Sequence, residues 1–190
     1  GPRRLTADGM HLLVTDRLSC PRCGPAFGLI LLARRMVVRR VEEGALGCSN
    51  CREQYPVEDG VADLRLPPRA FPSPPPPPPE PAPEDEGVKV AALLGLTGGP
   101  AQVLVAGGAL AAAPTLVSLV PECEAVTVDA AALGWPAMPG VSRLRTSGGH
   151  LPFQTRSLRS IALGGSGGEA LLDEAVRVLA PGGRLAFLDG

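Results

Sequence analysis

Residues 18–51 read LSCPRCGPAFGLILLARRMVVRRVEEGALGCSNC, and they decide the fold of the first part of the chain. Cys20-Pro-Arg-Cys23 and Cys48-Ser-Asn-Cys51 are two C-x-x-C turns separated by 24 residues. Each turn brings two thiols to one side of a tight loop, with backbone N–H groups aimed at the sulfurs. Together they supply a tetrahedral S₄ set, which suits Zn²⁺. The runs 28–32 and 36–41 between them are β-prone, with Arg34 and Arg35 near the bend. This predicts a hairpin between two knuckles, the layout of a zinc ribbon. Four thiolates leave no coordination position for water or substrate, so Cys20, Cys23, Cys48 and Cys51 are expected to hold a structural Zn²⁺. A piece this small, with few aliphatic residues, is expected to need the metal to fold. Two disulfides or free thiols are the alternatives.

Working outward, the whole chain has 190 residues and a mass of 19.5 kDa, enough for one ordinary domain or two small ones. Hydrophobic residues are 45% and aromatics only 3%, so any core is aliphatic. The net charge of −1 gives no global electrostatic case for nucleic acid or membrane. No run of 18 apolar residues is present, which excludes a helical span. The amino end, with Asp8, Asp16 and Arg17 beside its short apolar stretch, does not read as a secretion signal. Gly1-Pro2 resembles a protease-cleavage remnant, with Met10 a candidate natural start. These features predict a cytoplasmic protein whose cysteines serve a metal rather than a disulfide framework.

Residues 67–83 hold 11 of the 22 prolines, including six in a row at 74–79. Such a stretch has few amide donors and locked φ angles, so it is expected to run as polyproline II and act as a stiff spacer of about 50 Å, at about 3.1 Å per residue. A docking site for a proline-recognising partner is the alternative. The predicted organisation is a tail over 1–9, a ribbon over 10–66, a proline-rich linker over 67–86 and an α/β domain over 87–190.

Beyond the linker, helix-like and strand-like segments alternate. Helices are predicted over 88–96, 109–120 and 169–179, and strands over 102–106, 124–128, 142–145, 157–163 and 184–188, with 181–183 as a turn. This rhythm predicts a mostly parallel, Rossmann-like sheet with right-handed crossovers.

Two stretches resemble known families. The pattern L-x-C-P-x-C, then L-x-C-x-x-C-x-x-x-Y-P-V-x-D-G-V-x-x-L, carries a resemblance over about residues 10–66. It resembles the small zinc-ribbon activator subunit that partners tRNA, ribosomal-RNA and release-factor methyltransferases. That resemblance implies a module that binds a methyltransferase domain by strand pairing. V-L-V-A-G-G at 103–108, V-T-V-D at 126–129, L-P-F at 151–153 and L-L-D-E-A-V-R-V-L-A-P-G-G-R-L-A-F-L-D at 171–189 resemble class I S-adenosylmethionine-dependent methyltransferases. Only the first five strands of that fold have sequence here, so its terminal antiparallel hairpin is expected to be absent.

The methyltransferase resemblance implies a cofactor site, and this sequence departs from it. Val105 stands where an acid closes the first strand, and Gly107-Gly108-Ala109-Leu110-Ala111 replaces G-x-G-x-G. Ser147 stands at the adenine-side acid and Arg159 at the acid opening the fourth strand. Residues 164–168, Gly-Gly-Ser-Gly-Gly, replace the catalytic Asn/Asp-Pro-Pro-Tyr. Gly107, Gly108 and Asp129 are what remain to hold S-adenosylmethionine, with Leu110 and its alanine neighbours expected to fill the rest.

The expected function is a non-catalytic scaffold or regulatory protein. In it a structural zinc ribbon and a pseudo-methyltransferase domain mediate protein–protein interaction, with no catalytic residue. The partner is its own second domain or a methyltransferase or translation-related subunit. A working S-adenosylmethionine-dependent methyltransferase with a divergent loop is the alternative. An RNA-binding ribbon resting on Arg34, Arg35, Arg39 and Arg40 is a second. Of the other singular residues, His150 is read as lacking a carboxylate partner, Ser166 as no nucleophile and Cys123 as a buried filler. Trp135 is read as a candidate interface anchor.

Overall fold

The structure, a computed structural model, describes residues 9–68 and 74–189. Residues 1–8, including Gly1-Pro2, linker residues 69–73 and Gly190 lie outside the described residues. In chain order the first part comprises β1 (Met10–His11), α1 (Leu12–Thr15), β2 (Ser19–Cys20), β3 (Gly24–Gly28), β4 (Ile30–Val37), β5 (Arg40–Gly47), β6 (Gln54–Glu58) and β7 (Val61–Leu64). The second part comprises α2 (Glu84–Leu94), β8 (Ala101–Gly107), α3 (Ala112–Leu119), β9 (Cys123–Thr127), β10 (Val141–Thr146), β11 (Leu158–Gly164), α4 (Gly165–Glu169), α5 (Leu172–Val178) and β12 (Leu179–Leu188).

All strands but β2 and β3 join one 10-stranded sheet in the order β1-β5-β6-β7-β10-β9-β8-β11-β12, with β4 on the outer side of β5. Pairing is antiparallel among the strands before the linker and parallel from β7 to β12. The run β10-β9-β8-β11-β12 is a Rossmann-like order with its reversal between β8 and β11. The ribbon part is not held apart by the prolines. Its last strand, β7, extends this parallel sheet, pairing Val61 with Arg143 and Leu64 with Thr146.

Side-chain alternation along β8 builds two cores. Val103 and Val105 face α2 and α3, packing with Val90, Leu94, Leu116 and Trp135. Leu104 and Ala106 face the other way, with Ala175 and Val178 of α5 and with Met10, Leu18, Tyr55 and Val57 of the ribbon. That second core is therefore common to both parts. The L-P-F segment completes it: Leu18 bridges Phe153, Ser19 N donates to Pro152 O at 2.9 Å, and Gln154 N donates to Arg17 O at 2.8 Å.

Several elements differ from the sequence reading. The hairpin bends at Val38 and Arg39, both left-handed at φ 46° and 66°, and not at Arg34-Arg35. Helix α2 starts at Glu84, inside the predicted linker, because Glu84, Asp85 and Glu86 favour its positive amino end. It ends at left-handed Gly95, where Leu96 N reaches Ala91 O at 2.9 Å. The helix read over 169–179 is shorter, and the glycine loop at 164–168 is instead a helical turn, α4. Residues 181–183 lie within β12 as a bulge between the Leu158–Leu179 and Ser160–Arg184 pairs.

Candidate functional site

The sulfurs of Cys20, Cys23, Cys48 and Cys51 all lie within 4.8 Å of one another. Cys20 Sγ is 3.7 Å from Cys51 Sγ, and Cys48 Sγ is 3.8 Å from Cys23 Sγ. None of the four is disulfide-bonded. Sulfurs at about 2.3 Å from a tetrahedral Zn²⁺ stand about 3.8 Å apart, so the donor set fits that ion. The four cysteines could bind a metal ion, and zinc suits their chemistry.

Knuckle geometry comes from local backbone. Gly24 after the first pair takes φ 97°, and Arg52 after the second takes φ 62°. Cys23 N donates to Cys20 Sγ at 3.4 Å, and Asn50 Nδ2 donates to Cys23 Sγ at 3.3 Å. Burial pushes the Cys48 thiol up, but N–H groups of Cys51 and Asn50 and the neighbouring thiols overcome it, holding it at about 7. The Glu53 amide favours the Cys51 thiolate, yet burial and the three other sulfurs push that thiol up to about 12. Tyr55, fully buried, places its hydroxyl 3.3 Å from Cys20 Sγ as an outer-shell partner. The sequence flagged Tyr55 only as part of a family pattern.

Gly107, Gly108 and Asp129 sit at the carboxyl ends of β8 and β9, beside the sheet's switch point. There the chain closes on itself. Gly108 N donates to Gly164 O at 2.6 Å. A Cβ on Gly107, whose φ is 63°, would lie 2.4 Å from both Gly164 O and Gly168 N. Gly107 and Gly164 are the last register pair of β8 and β11, and the missing side chain at Gly107 lets Gly168 of α4 pack against the end of β8. Asp129 Oδ2 accepts from Gly107 N at 3.0 Å and lies 3.4 Å from Thr127 Oγ1. Burial raises the Asp129 carboxyl, with those two hydrogen bonds pulling the other way. Val105 and Ala109 are fully buried and Leu110 nearly so. Ser147 Oγ accepts from Leu66 N at 3.0 Å and so ties the chain just after β7 to the end of β10.

The arginine cluster is not one surface. Arg40 is buried: its Nη1 donates to Gly9 O at 2.7 Å and to Glu124 Oε1 at 2.9 Å, and its Nη2 pairs with Glu124 Oε2. Ser142 Oγ donates to Glu124 Oε1 at 2.5 Å and accepts from His11 N at 3.0 Å. This network joins β1 and β5 to β9 and β10. Arg35 pairs with Glu42, and Arg34 lies 3.9 Å from Glu43.

His150 does have a carboxylate partner, correcting the expectation: its Nδ1 lies 3.1 Å from Glu174 Oε2. Glu174 also takes a fork from Arg177, which with the Leu151 amide and His150 outweighs its burial and lowers its carboxyl. Cys123 is buried, and burial first, then Glu124, raises its thiol to about 11. Ser166 lies within α4.

The chain matches no family model and no curated protein. Among the described residues, no helix is long and apolar enough to cross a membrane.

Proposed function

We propose that this protein is a non-catalytic scaffold or regulatory protein, in which a ribbon built on a structural zinc ion and a pseudo-methyltransferase unit present a surface to a protein partner. The observation that carries the proposal is the filled turn after β8, where Ala109 and Leu110 are buried in the core and α4 packs against Gly107. It occupies the place where an open α/β sheet binds a ligand. S-adenosylmethionine does not fit these residues. The acid of the first strand is Val105, Leu110 packs into the core, and Asp129 is engaged by the chain's own amide. Each missing polar contact costs about 1–3 kcal/mol, and three together move a micromolar affinity to about millimolar or weaker.

The ribbon's outer strands supply interaction surface. Phe27, Ile30, Leu32, Met36 and Val38 are between 39% and 75% exposed. Leu32 also lines a groove of about 610 Å³, with Pro56, Pro67 and Pro68 along it and Arg34 and Glu53 among its polar lining. An apolar surface rimmed by charge is characteristic of protein association. By resemblance, a methyltransferase or translation-related subunit is the partner class proposed.

Crystals soaked in S-adenosylmethionine test this reading. The expected density shows Ala109 and Leu110 still in the core and no nucleoside beside Asp129. A nucleoside whose ribose is held by Asp129 would establish the methyltransferase alternative instead.

A further inference from the structure

The proline-rich segment is seated on the α/β unit. Trp135 Nε1 donates to Pro79 O at 3.0 Å. Ala82 N donates to Ala111 O at 2.8 Å, and Thr115 Oγ1 donates to Ala82 O at 2.5 Å. A Cβ on Gly134 would stand 2.7 Å from Pro78 Cδ, so this glycine makes room for a proline ring. Trp135 is only 6% exposed, and Arg143 Nη1 donates to its carbonyl at 3.1 Å, fixing the turn that presents it. At the segment's end Pro83 has φ −63° and ψ 160°, polyproline II values.

We propose that Gly134, Trp135 and Ala111 form a recognition site for a polyproline II segment, filled in the resting molecule by residues 78–82 of the same chain. The chemistry is complementary. Consecutive prolines offer carbonyl acceptors and no N–H, while an indole offers a donor and no acceptor. The segment's first bonded amide, at Ala82, meets the Ala111 carbonyl, which fixes direction and register. A preformed polyproline II chain loses little entropy on docking. The site spans the turn after β9 and the start of α3. Its resident ligand therefore lies across the loops that follow β8 and β9. This inference is independent of whether S-adenosylmethionine binds.

Trp135 is the chain's only tryptophan, so its emission reports the site directly. In the full chain, residues 74–82 are replaced by Gly/Ser of equal length, and a synthetic peptide of residues 74–83 is then titrated. Emission of the replaced chain is expected at longer wavelength, with the peptide shifting it back saturably. The intact chain should ignore the peptide below the effective concentration of its tethered copy, on the order of millimolar. Adding Gly134→Ala to the replaced chain should weaken the peptide at least tenfold. Unchanged emission in the replaced chain, or a peptide that does not bind it, overturns the proposal. If the replaced chain does not fold, Gly134→Ala in the intact chain decides. Protection of the Ala82 amide against hydrogen exchange should fall at least tenfold, and unchanged protection overturns the proposal.

Discussion

Removing either end of the Arg40–Glu124 bridge should destabilise the ribbon and the α/β unit together. Both side chains are more than nine-tenths buried, at 7% and 8% exposure, and they meet across a sheet that both parts share. Arg40→Ala leaves the Glu124 carboxylate in the interior with Ser142 as its remaining polar contact in the network, and it strips the Gly9 carbonyl of its donor. Breaking a buried pair this way costs about 3–5 kcal/mol, because the surviving charge stays desolvated and uncompensated. Glu124→Ala should cost a similar amount, with the guanidinium left beside Gly9 O. The double variant removes both charges, so its loss should resemble one single variant and not the sum. Urea unfolding of the four proteins, followed by circular dichroism and by Trp135 emission, measures this. Coincident single transitions are expected, since one core serves both parts. Two separated transitions, or single-variant losses below about 1 kcal/mol that add, would refute the reasoning.

Three more outcomes are expected. Purified protein should carry one zinc per chain by elemental analysis, and a strong chelator should melt the ribbon; Tyr55→Phe should raise metal loss, and full structure after complete metal removal would contradict this. Gly107→Ala should destabilise by about 2 kcal/mol or more, since its Cβ meets backbone at 2.4 Å in a left-handed conformation; thermal unfolding within about 0.5 kcal/mol of the parent would argue for an open loop. Arg177 holds the Glu174 carboxyl below its ordinary value, so its stabilisation is present above the unfolded pKa of about 4.3 and lost as pH falls through the folded one. Glu174→Gln should flatten that part of the stability curve below about pH 4, and curves of equal slope would exclude the linkage.

What the sequence made legible is what depends on neighbours along the chain. The C-x-x-C spacing located the four cysteines, and apolar runs located β8 to β11 in the right order. The hairpin bend was misplaced because Val38 and Arg39 take left-handed conformations that glycine or asparagine usually signals. Arg40 sits in a run of arginines that reads as solvated, and its partner is 84 residues away. His150 likewise finds Glu174 only through the fold, where α5 packs beside the L-P-F segment. A proline run reads as a spacer from composition alone. Its seat on Trp135 depends on a turn more than 50 residues later. The β7–β10 pairing is invisible locally, since strand edges of matching register carry no local signature.

Isothermal titration of the full chain with S-adenosylmethionine and S-adenosylhomocysteine tests the central claim most directly. With Ala109 and Leu110 buried in the turn after β8 and Asp129 engaged by Gly107 N, no saturable heat is expected up to about millimolar ligand. Stoichiometric binding tighter than roughly 100 µM would contradict it, and the protein would then be a methyltransferase with an altered cofactor loop.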